Sequence, residues 1–232
     1  MSDSLADFSL KGLLAGKSDY RILYKYQKVT EYALESLRDK YLYFSSFPQL
    51  NDPLDPFLTV VAHRSGELTR AISEKGTKVF CATEDRNNPL MWAHYGDSGA
   101  GMCIGYAVFV GSPRIFNPVK YVDTFVGSFN ALQLMSVKSS QWSWEAEWRA
   151  CFPGDLQVYP DIAHPVSICL GPRCTTDSMN LIREAMPETV TSFEIIFPAI
   201  EDGVPCYVTY DVDQILEHYG EIPSLESLYS AG

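Results

Sequence analysis

In a chain of 232 residues, 46% hydrophobic and 20% charged, there is enough apolar surface to build a packed core, which excludes a disordered polymer. The formal charge of −11 repels phosphate backbones and anionic lipid surfaces, and no Lys/Arg cluster offers a local exception, so neither nucleic-acid nor membrane partners are expected. No stretch approaches the roughly 18 apolar residues that span a bilayer, residues 1–9 lack the pattern of a signal peptide, and the six scattered cysteines contain no C-x-x-C pair. These features predict a cytoplasmic protein with reduced core cysteines and no metal site.

Residues 1–20 show no clear period and read as a leader with room for one short helix. Residues 21–220 read as a single globular domain and 221–232 as a tail. Within the domain, 22–26 predicts a strand. Thr30 is an N-cap candidate for a short helix carrying Leu34 and Leu37, and 41–45 predicts a second strand. The stretch 48–56, with Asn51, Asp52, Pro53, Asp55 and Pro56, is dense in turn formers and predicts a structured loop. A strand at 57–62, a helix at 66–75 and a strand at 78–82 follow. The segment 90–95 then leads to a continuous apolar run at 102–108, the pattern of a strand buried on both faces.

The second half predicts a strand at 119–122, a helix near 129–137, and strands at 142–152 and 165–170. A helix at 176–186 stopped by Pro187 and strands at 192–198 and 205–210 complete the series. Helices do not alternate strictly with strands, which favours an α+β class, mixed and mainly antiparallel with flanking helices, over a doubly wound parallel sheet.

The octapeptide 142–149 alternates apolar and polar residues without exception. As a strand it buries Trp142, Trp144, Ala146 and Trp148 and presents Ser143, Glu145, Glu147 and Arg149 on the opposite side. Two carboxylates then stand about 6 to 7 Å apart on one rigid element. That suits chemistry in which one acid stabilises a cationic centre and the other orients a nucleophile; the plain alternative is a solvated outer face with a weak surface ion pair. A second segment runs from Leu90 through Met91, Trp92, Ala93, His94 and Tyr95 to the glycine-rich turn 98–101. His94 can serve as a base or bond a ribose hydroxyl, and Trp92 or Tyr95 can stack on a planar ring; equally, these residues can be core filling at helical spacing. In a third segment Ser45, Asn51 and Asp52 either rim a pocket or only build the turn.

Taken in order, Leu23 to Tyr26, Tyr43 to Ser46 with Asn51 to Pro53, Met91 to Tyr95 with Gly101 to Tyr106, and Lys138 to Trp142 leading into Glu145 to Arg149 resemble the bacterial domain of unknown function 2971 family. The resemblance covers about 21–210 and departs from the family pattern at Leu54 and at 98–101. A looser similarity links the order of an early aromatic strand and a late Glu-x-Glu strand to the ADP-ribosyltransferase layout. That similarity implies an ADP-ribosyltransferase-like fold and an NAD-consuming transferase or glycohydrolase, a toxin, effector or defence component, with NAD as substrate and a protein as acceptor. It implies that Glu147 stabilises the oxocarbenium ion, Glu145 positions the acceptor, Tyr24 or Tyr26 holds the ribose, and Tyr95 stacks on nicotinamide. His94 would assist catalysis, with Ser45, Trp92 and Arg149 completing the nucleotide site. Two other readings stay open: a non-catalytic accessory protein that binds a nucleotide or peptide, and a metal-dependent hydrolase built on Asp52, Asp55, Glu145 and Glu147.

Overall fold

The computed structural model describes residues 15–17, 19–55, 77–110, 116–125, 135–153, 158–160 and 163–225. The chain is mixed α+β, with mostly antiparallel strand pairing and few helices. In chain order, β1 (Tyr20–Gln27), α1 (Glu31–Arg38), β2 (Tyr41–Tyr43), β3 (Ser45–Ser46), β4 (Thr77–Thr83), α2 (Pro89–His94) and β5 (Met102–Phe109) come first. Next are β6 (Phe116–Pro118), β7 (Lys120–Val122), β8 (Val137–Ser139), β9 (Glu147–Pro153) and β10 (Val158–Pro160). The last elements are β11 (His164–Leu170), α3 (Thr176–Ala185), β12 (Ser192–Glu201), β13 (Val204–Asp211) and α4 (Val212–Tyr219). Two compact units result, one from residues 1–23, 41–84 and 107–163, the other from 24–40, 85–106 and 164–232.

The first unit is built on the antiparallel run β3–β4–β9–β6, in which Cys81 lies opposite Arg149 and Phe80 opposite Ala150. Because side chains alternate along a strand, this register puts Phe80 and Ala150 on one face and Val79, Cys81, Glu147, Arg149 and Cys151 on the other. Phe44 packs against Phe80 and Phe152, and Phe80 against Phe116, on the first face. On the second, Phe47 and Met135 pack with Val79. Both faces of β9 are therefore covered, and whatever its odd-numbered positions carry must be accommodated inside.

In the second unit β11 and β12 pair in parallel, and β12 and β13 form a hairpin turned at Asp202 and Gly203, both with positive φ. Aspartate and glycine tolerate that conformation, so a two-residue turn fits the strand twist. The helices start where the capping side chains stand: Thr30 accepts from the Ala33 N–H, Asn88 from Leu90, Thr175 from Ser178 and Asp211 from Asp213. Gly101 lies in the predicted glycine-rich turn at a position where a Cβ would come within 2.3 Å of the Gln27 carbonyl oxygen, so only hydrogen fits there.

The strands predicted at 22–26, 41–45, 78–82, 102–108, 165–170, 192–198 and 205–210 and the helix at 176–186 correspond to observed elements. The strand and helix expected at 57–62 and 66–75 lie outside the described residues, as does most of the helix expected at 129–137. The last residue of that helix, Val137, belongs instead to a strand. Helix α4 was not anticipated: its Asp211 cap is also the last residue of β13, so strand periodicity runs directly into the helix start. The largest correction concerns 142–152. Residues Ser140–Glu145 form a 3-10 helix, Ala146 takes a left-handed conformation, and the strand begins only at Glu147. Among the described residues no helix is long and apolar enough to cross a membrane.

Candidate functional site

The Glu145 to Arg149 segment, marked by its alternation, does form a polar constellation, but its faces are the reverse of those expected. Glu145, Glu147 and Arg149 are buried at 3%, 6% and 1% exposure, while Trp142, Trp144 and Trp148 are only half-buried. The cause is local. Ser139 caps the 3-10 helix by accepting from the Gln141 N–H, and that helix rotates Trp142 and Trp144 off the strand register. Ala146, at φ 44 and ψ 48, then turns the chain so that both glutamates reach the same lysine.

That lysine is Lys138, on β8, also buried. Its Nζ donates to Glu145 Oε2 at 2.5 Å and to Glu147 Oε2 at 3.3 Å. Arg149 donates from Nε to Glu147 Oε1 at 2.8 Å and from Nη2 to Oε2 at 3.0 Å. Its other fork grips Asp55, Nη1 to Oδ1 at 2.7 Å and Nη2 to Oδ2 at 2.8 Å, and Nη1 also donates to the Met135 carbonyl. All five guanidinium N–H groups thus find acceptors, the condition for keeping such a charge in a dry interior. Tyr121 adds its hydroxyl as acceptor for the Glu147 N–H at 2.8 Å.

Three acids and two bases share this space, and the dehydration cost falls unevenly. Burial would raise the Glu147 carboxyl, but the charges of Arg149 and Lys138 outweigh it and bring it down to about 2. Asp55 goes the other way: burial raises it, and Arg149 only partly offsets the rise. Burial would lower Lys138, but the two glutamates more than compensate and its ammonium is held above its ordinary range. A carboxylate has about four acceptor positions, and Glu147 gives three of them to Arg149 and Lys138, with the Cys81 thiol also donating. The cluster therefore acts first as a clamp, tying the residues at Asp55, β8 and β9 into one body. Its outer edge is aromatic. The Trp142 ring covers Lys138 Nζ at 4.7 Å, and the Trp142 and Trp144 rings lie 5.8 Å apart, tilted by 37°.

Ser45 also lies in this unit, half-buried on β3 opposite Val79. Asn51 and Asp52 belong to this unit too, whereas Tyr24, Tyr26, Trp92, His94 and Tyr95 belong to the second. Tyr24 is half-buried on β1. Tyr26 is buried, donates its hydroxyl to the Asp85 carbonyl at 3.0 Å, and meets Trp92 edge-on at 4.9 Å. Trp92 is itself 2% exposed, placed as core filling. His94 is exposed in the last turn of α2 and Tyr95 half-buried just after it, with 6.4 Å between their rings. Reading the sequence missed that Asp55 and Lys138 are the counter-charges of the Glu145 to Arg149 segment. Asp55 stands 94 positions from Arg149, and nothing local links them. Among the described residues, no three of His, Cys, Asp or Glu gather as a metal site. No protein-family model matches the chain, and neither does any curated protein or solved structure.

Proposed function

We propose that the chain is a non-catalytic binding protein in which the charge cluster of the first unit is a rigid frame for the Trp142 and Trp144 rings, and that its ligand is a peptide segment. The observation that carries this reading is the near-saturation of Glu147. A carboxylate with three of its roughly four acceptor positions committed to Arg149 and Lys138, and the Cys81 thiol donating as well, has little left to bond a ribose hydroxyl or a nucleophile without giving up a buried partner. Two neighbouring, half-exposed indole rings offer stacking surface to an aromatic, proline or cationic side chain. A chain of net charge −11 favours neutral or basic peptides over phosphate-bearing nucleotides.

A second reading keeps the resemblance to the domain of unknown function 2971 family and to ADP-ribosyltransferases, with Glu147 as the acid facing an oxocarbenium ion. What favours it is that Glu147, although buried, is kept ionised at neutral pH by Arg149 and Lys138, as that role needs. One experiment separates the two. The purified chain is incubated with NAD, with and without cell lysate as acceptor, and released nicotinamide is measured. The binding reading expects none, together with saturable quenching of tryptophan fluorescence by a basic, aromatic-rich peptide that is lost in Trp142→Ala. Nicotinamide release that disappears in Glu147→Gln overturns it in favour of the enzyme.

A further inference from the structure

The second unit holds another polar group that none of these readings uses. Arg86 follows β4 in a short loop whose backbone is fixed on both sides. The Tyr26 hydroxyl bonds the Asp85 carbonyl, the Asp85 carboxylate accepts from the Asn87 N–H, and Asn88 caps α2. A loop pinned in this way pre-positions the arginine. Arg86 Nη1 donates to Glu194 Oε2 at 2.8 Å, with both side chains roughly a quarter to a third exposed, 31% and 26%. Glu194 stands directly beside Cys169 in the β11–β12 register. The Arg86 charge bears on the Tyr24 phenol and on the buried Cys103 and Cys169 thiols, so these groups share one neighbourhood.

The hydrogen-bond capacity here is not used up. Among the described residues, Arg86 bonds only through Nη1, which leaves the Nε and Nη2 edge of the guanidinium without a protein acceptor; the Tyr24 hydroxyl makes no hydrogen bond, and Glu194 Oε1 takes none. None of these atoms is sealed from solvent. This differs sharply from Arg149, where every donor is matched. A guanidinium with one fork filled and the other open offers two parallel N–H groups at the spacing of a carboxylate's oxygens. Glu194 beside it weighs against a dianionic phosphate and in favour of a singly charged acid.

We propose that the open edge of Arg86 binds the carboxylate of a small organic acid. The site is independent of the Trp142 and Trp144 reading. The test follows the arginine Nε–H and backbone amide resonances of the full chain during titration with N-acetylglycine, with N-acetylglycine amide and inorganic phosphate as parallel arms. Saturable shifts at Arg86, Tyr24 and Glu194 are expected with the acid and not with the amide, and weaker binding with phosphate. Arg86→Lys should weaken binding about tenfold, because a point charge replaces a fork. Glu194→Gln, which keeps the side-chain shape, should tighten it roughly fivefold by removing a like charge. Absence of saturable shifts with the acid, equal shifts with the amide, tighter binding of phosphate, or weaker binding in Glu194→Gln each overturns the assignment.

Discussion

Replacing Arg149 by methionine tests the clamp directly. The substitution keeps an unbranched side chain but deletes the donors that serve Glu147, Asp55 and the Met135 carbonyl. Glu147 and Asp55 then remain at 6% and 3% exposure, with Lys138, among the described residues, the one cation still bonded to Glu147. Breaking a buried ion pair from one side costs about 3–5 kcal/mol, because the orphaned charges keep their dehydration penalty. Against a total stability of about 5–15 kcal/mol, that is a large fraction. Equilibrium urea unfolding followed by far-ultraviolet circular dichroism should show the midpoint fall accordingly. Combining Arg149→Met with Glu147→Met and Asp55→Leu should recover most of the loss, since the penalty lies in the unpaired acids and not in the missing arginine. A single-variant loss below about 1 kcal/mol would refute the reasoning.

Two further outcomes follow from the same geometry. With its carboxyl held down to about 2 from an ordinary 4.5, Glu147 contributes stability that is present above pH 4.5 and lost as pH falls through about 2. The amount is on the order of 3 kcal/mol. Asp55, raised by burial, has the opposite sign: its contribution is full below the ordinary aspartate range and is lost as pH rises through its folded value. The stability gap between the wild-type chain and Glu147→Gln should therefore narrow as urea midpoints are measured from pH 5 down towards 2, and a constant gap would contradict the assignment. Ala146→Gly should stabilise the chain by about 0.5–1 kcal/mol, since glycine accepts the left-handed conformation that costs alanine about 1–2 kcal/mol; a loss of stability would count against backbone strain there.

The extended apolar run at 102–108, the Thr30 cap, the helix at 176–186 and the strands at 192–198 and 205–210 were legible from sequence because each is set by neighbours a few residues apart. The same local reasoning mis-set 142–149. Perfect alternation satisfies a strand with tryptophans inward, but it satisfies equally well a strand starting at Glu147 with its charged side inward, provided counter-charges wait there. Periodicity gives the spacing of side chains, not which face is covered. So the amino-acid order determined by itself that Glu145, Glu147 and Arg149 form a group and that the class is α+β. Only the tertiary structure decided that they point inward, because the choice depends on Asp55 and Lys138. A charge can be buried only where distant residues neutralise it, and that pairing exists once the chain has folded.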